Sequence, residues 1–257
     1  MIDREAVRSN ANYLREVRPV DPDEICEYIE GQPHPAVVRQ TLREEAFELG
    51  LVERVDGTFV PVDEEPAEYR NWQPEAFPEP YSFALEDQLV GRYGANWHRG
   101  ESGGELREAI TGLKEDYFAG APVEYDETAA LGYAIYHLPD YYAAVGYVLD
   151  TLAEQRLLDR TLRVLDVGAG SGGPALGLHD YLYGTPETDD FDPEAALVDY
   201  HAIEPSASAD VLDGMLDETA RNFRSTIHRT TVESYLDDEP AGEFDLICFG
   251  NVLNELD

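Results

Sequence analysis

Leu162-Arg163-Val164-Leu165-Asp166-Val167-Gly168-Ala169-Gly170-Ser171-Gly172-Gly173-Pro174 decides the fold of this chain. An apolar run from Leu162 to Val167 breaks into a loop dominated by glycine, and Pro174 follows where a helix can begin. Strand, tight glycine turn and helix amino terminus are the parts of a nucleotide-binding βα unit, because glycine accepts positive φ and lets a ligand approach the backbone. Gly168, Gly170 and Gly173 satisfy the G-x-G-x-x-G spacing of dinucleotide sites. Asp166, Gly168, Gly170 and Gly172 satisfy a second pattern, D-x-G-x-G-x-G. Both predict an α/β fold with a parallel sheet.

Towards the carboxyl end, Leu197–Ile203 reads as the second strand and ends in Glu204-Pro205-Ser206. A carboxylate there can accept two hydrogen bonds from ribose hydroxyls. Glu204 lies 36 residues after Gly168, against about 20 in the usual unit. The polar stretch Gly184–Asp190 accounts for the surplus as a surface insertion. A third strand is expected at Ser225–Thr230, followed by Glu233 in a loop beside the ligand, and a fourth at Phe244–Phe249, followed by Asn251. Cys248, inside that strand, reads as a buried apolar residue.

The D-x-G-x-G-x-G string resembles the first motif of class I S-adenosylmethionine-dependent methyltransferases. The resemblance implies S-adenosylmethionine as cofactor, held by Asp166, Gly168, Ala169, Gly170, Gly172, Glu204, Pro205 and Asn251. Asn251 would stand beside the transferred methyl as a positioning residue, and Asp166 would order the turn near the amino-acid end of the cofactor. No histidine base follows the fourth strand, so the implied chemistry is direct displacement, which needs alignment more than acid or base help. Tyr133–Ala144, the glycine loop, Ile203–Ser206 and Asn251–Leu256, in that order, resemble the ribosomal small-subunit methyltransferase-like family, relatives of the mitochondrial ribosome-assembly protein. That resemblance implies a seven-stranded Rossmann-like domain acting on small-subunit ribosomal RNA or its assembly. Family members commonly carry a downstream cysteine cluster that this sequence does not supply, and the sequence stops at Asp257, after the fourth strand. The expectation is therefore a truncated product, inactive alone, or a sheet completed by another chain.

Upstream, helical patterns fall at 81–92, 104–118 and 127–157, and this helical region is expected to cap the cofactor site. Tyr133, Tyr136, His137, Tyr141 and Tyr142 cluster around Leu138-Pro139 as packing residues, some of them a potential pocket wall. Residues 63–80, with Pro66, Pro74, Pro78 and Pro80 among acids, read as a linker or extended wrap. Before it, Asp21-Pro22 opens one helix, Pro35 opens another that stops at Gly50, and two β-rich runs flank Asp56-Gly57. Helix, helix and hairpin predict a winged helix over residues 1–62. As a nucleic-acid reader it would present Arg39, Gln40 and Arg43; as a structural or homodimerisation module those residues form a solvated face, and Glu44, Glu45 and Glu48 favour that reading. The architecture expected is winged helix (1–62), wrap (63–80), helical region (81–160) and an incomplete Rossmann-like methyltransferase sheet of four strands (161–257).

The 257 residues include 54 Asp+Glu against 18 Lys+Arg, of which only Lys114 is lysine, for a formal net charge of -36. With 43% hydrophobic and 11% aromatic residues the chain is not of disordered composition. Abundant acid with almost no lysine resembles the proteins of salt-accumulating halophilic archaea. The charge opposes nonspecific binding to nucleic acid at ordinary salt. No apolar run approaches the ~20 residues that span a bilayer, the amino terminus carries no secretory pattern, and two distant cysteines fit a reducing compartment, so a cytoplasmic location is expected. The leading function is an S-adenosylmethionine-dependent protein acting on ribosomal RNA or the small subunit. The alternatives are a small-molecule O-methyltransferase with a winged-helix dimerisation domain, and a DNA-binding regulator with a methyltransferase-like ligand domain. A nicotinamide-dependent oxidoreductase stands further off.

Overall fold

The computed structural model describes residues 2–120, 123–186, 188–238 and 242–250. The amino-terminal unit begins with α1 (Arg4–Arg15), capped by Asp3, whose carboxylate accepts from the Ala6 amide. Helices α2 (Pro22–Tyr28) and α3 (Pro35–Leu49) follow, each with proline in its first turn, and α3 stops at Gly50 with φ of 57°. Strands β1 (Leu51–Glu53) and β2 (Phe59–Pro61) form the expected antiparallel hairpin, and Val20 bridges to Phe59 as a third, single-residue strand. This is a winged helix, with Val7, Ala11, Leu14, Val20, Ile25, Val38, Leu42, Leu51 and Phe59 as its core.

Of the side chains that a groove-reading α3 would offer, Gln40 and Arg43 are engaged within the chain. Arg43 grips the buried Glu53 through Nε (2.6 Å) and Nη2 (2.8 Å), and Gln40 donates to Glu44 (3.1 Å). Glu45 is buried and paired to Arg4 and Arg8 of α1.

Residues 63–78 form no regular element and lie against the rest of the molecule as a wrap. The Trp72 amide donates to Asp150 (2.6 Å) and its indole Nε1 to the Ala143 carbonyl (3.0 Å). The indole sits where Gly146 leaves room, since a Cβ there would lie 2.2 Å from the ring. Three helices follow: α4 (Glu79–Tyr93), α5 (Gly100–Ala119) and α6 (Glu127–Glu154).

The carboxyl-terminal half alternates strand and helix: β3 (Thr161–Val167), α7 (Gly173–Tyr183), β4 (Leu197–Ile203), α8 (Ser208–Leu216), β5 (Phe223–His228), α9 (Val232–Asp238) and β6 (Leu246–Phe249). The four strands are parallel in the order β5-β4-β3-β6, a Rossmann-like sheet. β5 begins two residues earlier than the sequence predicts, because Phe223 turns inward and pairs with Val198; β6 begins two residues later. One sheet face carries Leu162, Val164, Val198, Tyr200 and Ala202 into the main core; the other carries Leu165, Val167 and Ile203 against Tyr235.

Helix α7 packs on α6 at close range because two of its glycines lack side chains. A Cβ at Gly177 would lie 2.3 Å from Val145 Cγ1 and 2.6 Å from the Tyr142 carbonyl oxygen. Since that oxygen is backbone, rotamer change cannot relieve the clash. Gly177→Ala is expected to destabilise the protein by about 3 kcal/mol through overpacking, read as a shift of the denaturant midpoint at constant slope; an unshifted midpoint would show that the helices part freely.

The winged helix docks at the amino-terminal ends of the strands. Asn222, fully buried, accepts from the Glu53 amide (2.8 Å) and donates to the carbonyls of Glu53 (3.0 Å) and Pro193 (2.7 Å). Arg163 of β3 lies over the Phe47 ring (4.4 Å) and bridges Glu48 and Asp199 (3.0 Å each).

Candidate functional site

The chain leaves β3 towards β4 on one side, and β6 returns on the other, so the carboxyl ends of these strands form a topological switch point. A crevice opens there, as it does for ligands in open α/β sheets. It holds a cavity of about 600 Å³ floored by Gly168, Ala169, Gly170 and Ser171, with Glu204, Pro205 and Ser206 beyond β4 and Thr231, Val232 and Glu233 beyond β5. Residues 123–126 and the rings of Tyr133 and Tyr141 close it on the helical side, and Gly250 and Pro174 close the β6 end.

The loop is clamped to the neighbouring strand. The amides of Gly168 and Ala169 both donate to the Ile203 carbonyl (2.9 and 3.2 Å), and Gly170, at φ of 56°, turns its amide to Glu204 Oε2 (2.8 Å). Glu204 Oε1 accepts from the amide (3.0 Å) and hydroxyl (2.5 Å) of Ser206. Glu204 therefore lines the cavity as expected, but its carboxylate is not free for two ribose hydroxyls: three donors already occupy it, leaving room for about one more.

Two further expectations are corrected. Asp166 does not face the cavity. It shares the inward face of β3 with Leu162 and Val164 and is fully buried; it accepts from the Tyr200 hydroxyl through Oδ2 and has no partner for Oδ1 among the described residues. Burial pushes its carboxyl up to about 6, with the Glu204 charge adding and the Tyr200 bond opposing. Cys248 pairs with it across β6, and burial beside that carboxylate pushes the thiol up to about 12, which leaves it a packing residue. Gly172 also lies off the cavity: at φ of 94° it caps α7, with Leu212 Cδ1 only 2.6 Å from where a Cβ would sit. Gly168, Ala169, Gly170 and Pro205 line the cavity. Asn251 lies outside the described residues.

Sequence reasoning missed the contribution of residues 123–126. Asp126 caps α6 by accepting from the Ala129 amide (2.8 Å), a capping pattern legible in the sequence. The consequence for charge is one-sided. Glu124, Asp126, Glu204 and Glu233 line the cavity, and no Lys, Arg or His is among the described residues that do. Nor do the described residues contain a group of three His, Cys, Asp or Glu arranged to hold a metal ion.

The family described as "Domain of unknown function (DUF8157) N-terminal domain" matches residues 4–55. No curated protein matches the chain. Among solved structures, the mitomycin 7-O-methyltransferase MmcR shares 16% identity over 99% of this chain and 68% of its own, with a TM-score of 0.33. The pyocyanin biosynthetic protein PhzM shares 16% over 99% and 67%, with a TM-score of 0.29. The O-methyltransferase NcsB1 from neocarzinostatin biosynthesis, in complex with S-adenosylmethionine and 2-hydroxy-5-methyl naphthoic acid, shares 14% over 93% and 67%, with a TM-score of 0.27. At these TM-scores the likenesses carry no argument about what this chain does.

Proposed function

We propose that the cavity binds S-adenosylmethionine and that the chain is a methyltransferase for a small-molecule acceptor. The observation that carries this is the lining of four carboxylates without a basic residue. A dinucleotide would bring a doubly negative pyrophosphate into that field, and like charges within a few ångströms repel. S-adenosylmethionine brings instead a sulfonium and an ammonium against a single carboxylate, a net positive charge. Ile203–Ser206 and Thr231–Glu233 would hold its adenosine, with a ribose hydroxyl taking the remaining acceptor site of Glu204. The glycine loop would hold its methionine portion, with Tyr133, Tyr141 and Gly250 on the side left for the acceptor. When bound, the cofactor would supply a methyl: its bond to sulfur breaks as one to a nucleophilic atom of the acceptor forms, S-adenosylhomocysteine is left, and a hydroxyl acceptor gives up its proton to solvent. The residues of the chain align the two reactants and keep water from between them.

The small-molecule acceptor is favoured over ribosomal RNA by the disposition of positive charge. Eleven of the seventeen arginines, including Arg43, Arg163 and Arg221, have carboxylate partners, and the cavity itself is acidic. Phosphate contacts by unpaired Lys and Arg are the main source of affinity for nucleic acid. Among the described residues no helix is long and apolar enough to cross a membrane.

Calorimetric titration in molar KCl tests the cofactor. Saturable binding of S-adenosylmethionine is expected, with NAD+ at least tenfold weaker; NAD+ binding in preference to S-adenosylmethionine overturns the proposal. Copurification with small ribosomal subunits would return the acceptor to ribosomal RNA.

A further inference from the structure

The cavity wall opposite the glycine loop is aromatic. Tyr133, His137 and Tyr141 stand one helical turn apart on one face of α6. The ring of His137 lies 4.4 Å from that of Tyr133 and stacks on that of Tyr141 (5.9 Å, 25°), while the two tyrosine hydroxyls meet at 2.8 Å. Tyr125 adds a ring edge-on to Tyr133 (5.3 Å, 86°). Tyr125, Tyr133 and Tyr141 line the cavity, and His137 backs them. A Cβ built on Gly173 would lie 2.6 Å from Tyr141 Cβ, and one on Gly250 would lie 3.8 Å from Pro174 Cγ. These contacts put Tyr141 at the β3–β6 end of the cavity, away from Thr231–Glu233.

We propose that Tyr133 and Tyr141, braced by His137, form the platform on which the methyl acceptor stacks, and that the acceptor is an uncharged planar aromatic hydroxy compound. This rests on the cofactor reading above, which brings the methyl group out at this end. Aromatic faces favour planar rings in offset or edge-on contact. The Tyr141 hydroxyl, which meets that of Tyr133 at 2.8 Å, keeps a lone pair beyond that bond, so it can receive a phenolic proton donor. Glu124 and Asp126 on the same side oppose ligands bearing phosphate or carboxylate. Shape thus selects an aromatic ring, and charge rejects its anionic derivatives.

The probes are 2-naphthol and 2-naphthyl phosphate, titrated by fluorescence with and without saturating S-adenosylhomocysteine. The proteins are the parent chain, Tyr133→Phe and Tyr133→Leu. The parent is expected to bind 2-naphthol at least tenfold more tightly than its phosphate. Loss of the ring in Tyr133→Leu should weaken 2-naphthol by roughly tenfold, and Tyr133→Phe should stay within about threefold. Affinity for S-adenosylhomocysteine should stay within about twofold across all three proteins, which also reports that the variants fold. No binding of 2-naphthol by the parent, equal binding of its phosphate, or an unaffected Tyr133→Leu overturns the proposal. So does loss of S-adenosylhomocysteine binding in a folded Tyr133→Leu, which would assign the ring to the cofactor. If no protein binds S-adenosylhomocysteine while 2-naphthol behaves as expected, the cofactor reading fails and the aromatic platform stands.

Discussion

Asp180→Ala is expected to destabilise the protein by about 4 kcal/mol, because it strips a buried network of its shared acceptor. Asp180 sits in α7 beside His179, both essentially without solvent contact. Its Oδ1 accepts from the Tyr81 hydroxyl and lies 2.8 Å from His179 Nδ1; its Oδ2 accepts from the Tyr142 hydroxyl (2.8 Å). The Ala220 amide donates to His179 Nε2 (2.9 Å), which places the ring proton on Nδ1, facing the carboxylate. Burial, together with the Asp180 charge, holds the Tyr81 and Tyr142 hydroxyls well above the usual phenol range, so both remain donors throughout the stable pH range. Removing the carboxylate leaves the Tyr81 and Tyr142 hydroxyls buried without their acceptor, at about 1–3 kcal/mol each, while His179 Nδ1 keeps only the Tyr81 oxygen at 2.9 Å. The network joins α4, α6, α7 and the turn before β5, so the loss should appear as one cooperative transition at lower denaturant. An alanine variant within 1 kcal/mol of the parent would show that water enters and replaces the carboxylate.

Asp166→Asn should do the opposite, and only at neutral pH. The buried carboxyl titrates at about 6 in the folded chain and at about 3.9 when unfolded. The folded state therefore holds its proton more tightly. The stability this confers is complete below about pH 4 and is lost as pH rises through about 6, by roughly 3 kcal/mol in total. The amide variant does not ionise. It should match the parent near pH 4 and exceed it by up to about 3 kcal/mol at pH 7.5. Urea titrations of both proteins at the two pH values measure the difference directly. Parallel stability curves, with a constant gap from pH 4 to 7.5, would mean that Oδ1 has a partner in solution and that the charge is not strained.

How much was legible in the sequence depends on whether the signal was local. The glycine loop and the Asp56-Gly57 hairpin are local, since each needs only the conformations its own residues allow, and both stand as expected. Helix α1 was missed although Val7, Ala11 and Leu14 recur at helical spacing. The outward shift of β5 by two residues is tertiary: nothing in Phe223-Arg224 marks a strand until Val198 supplies the partner. Asp166 is more instructive. Strand parity places it with Leu162 and Val164, facing the core, so its orientation was available from the alternation that predicted the strand. The motif drew attention to the ligand instead. The Asp180 network left a trace too, as two ionisable residues inside the otherwise apolar run of α7, but its acceptor role depends on Tyr81 and Tyr142, far away in sequence.

The seven residues of β3 separate the docked winged helix from the cavity floor, a span of about 20 Å along the strand. A ligand held by the residues of the amino-terminal unit alone would leave the residues that line the cavity untouched. Binding at one end would then be independent of binding at the other, with additive free energies and no shared contact residues.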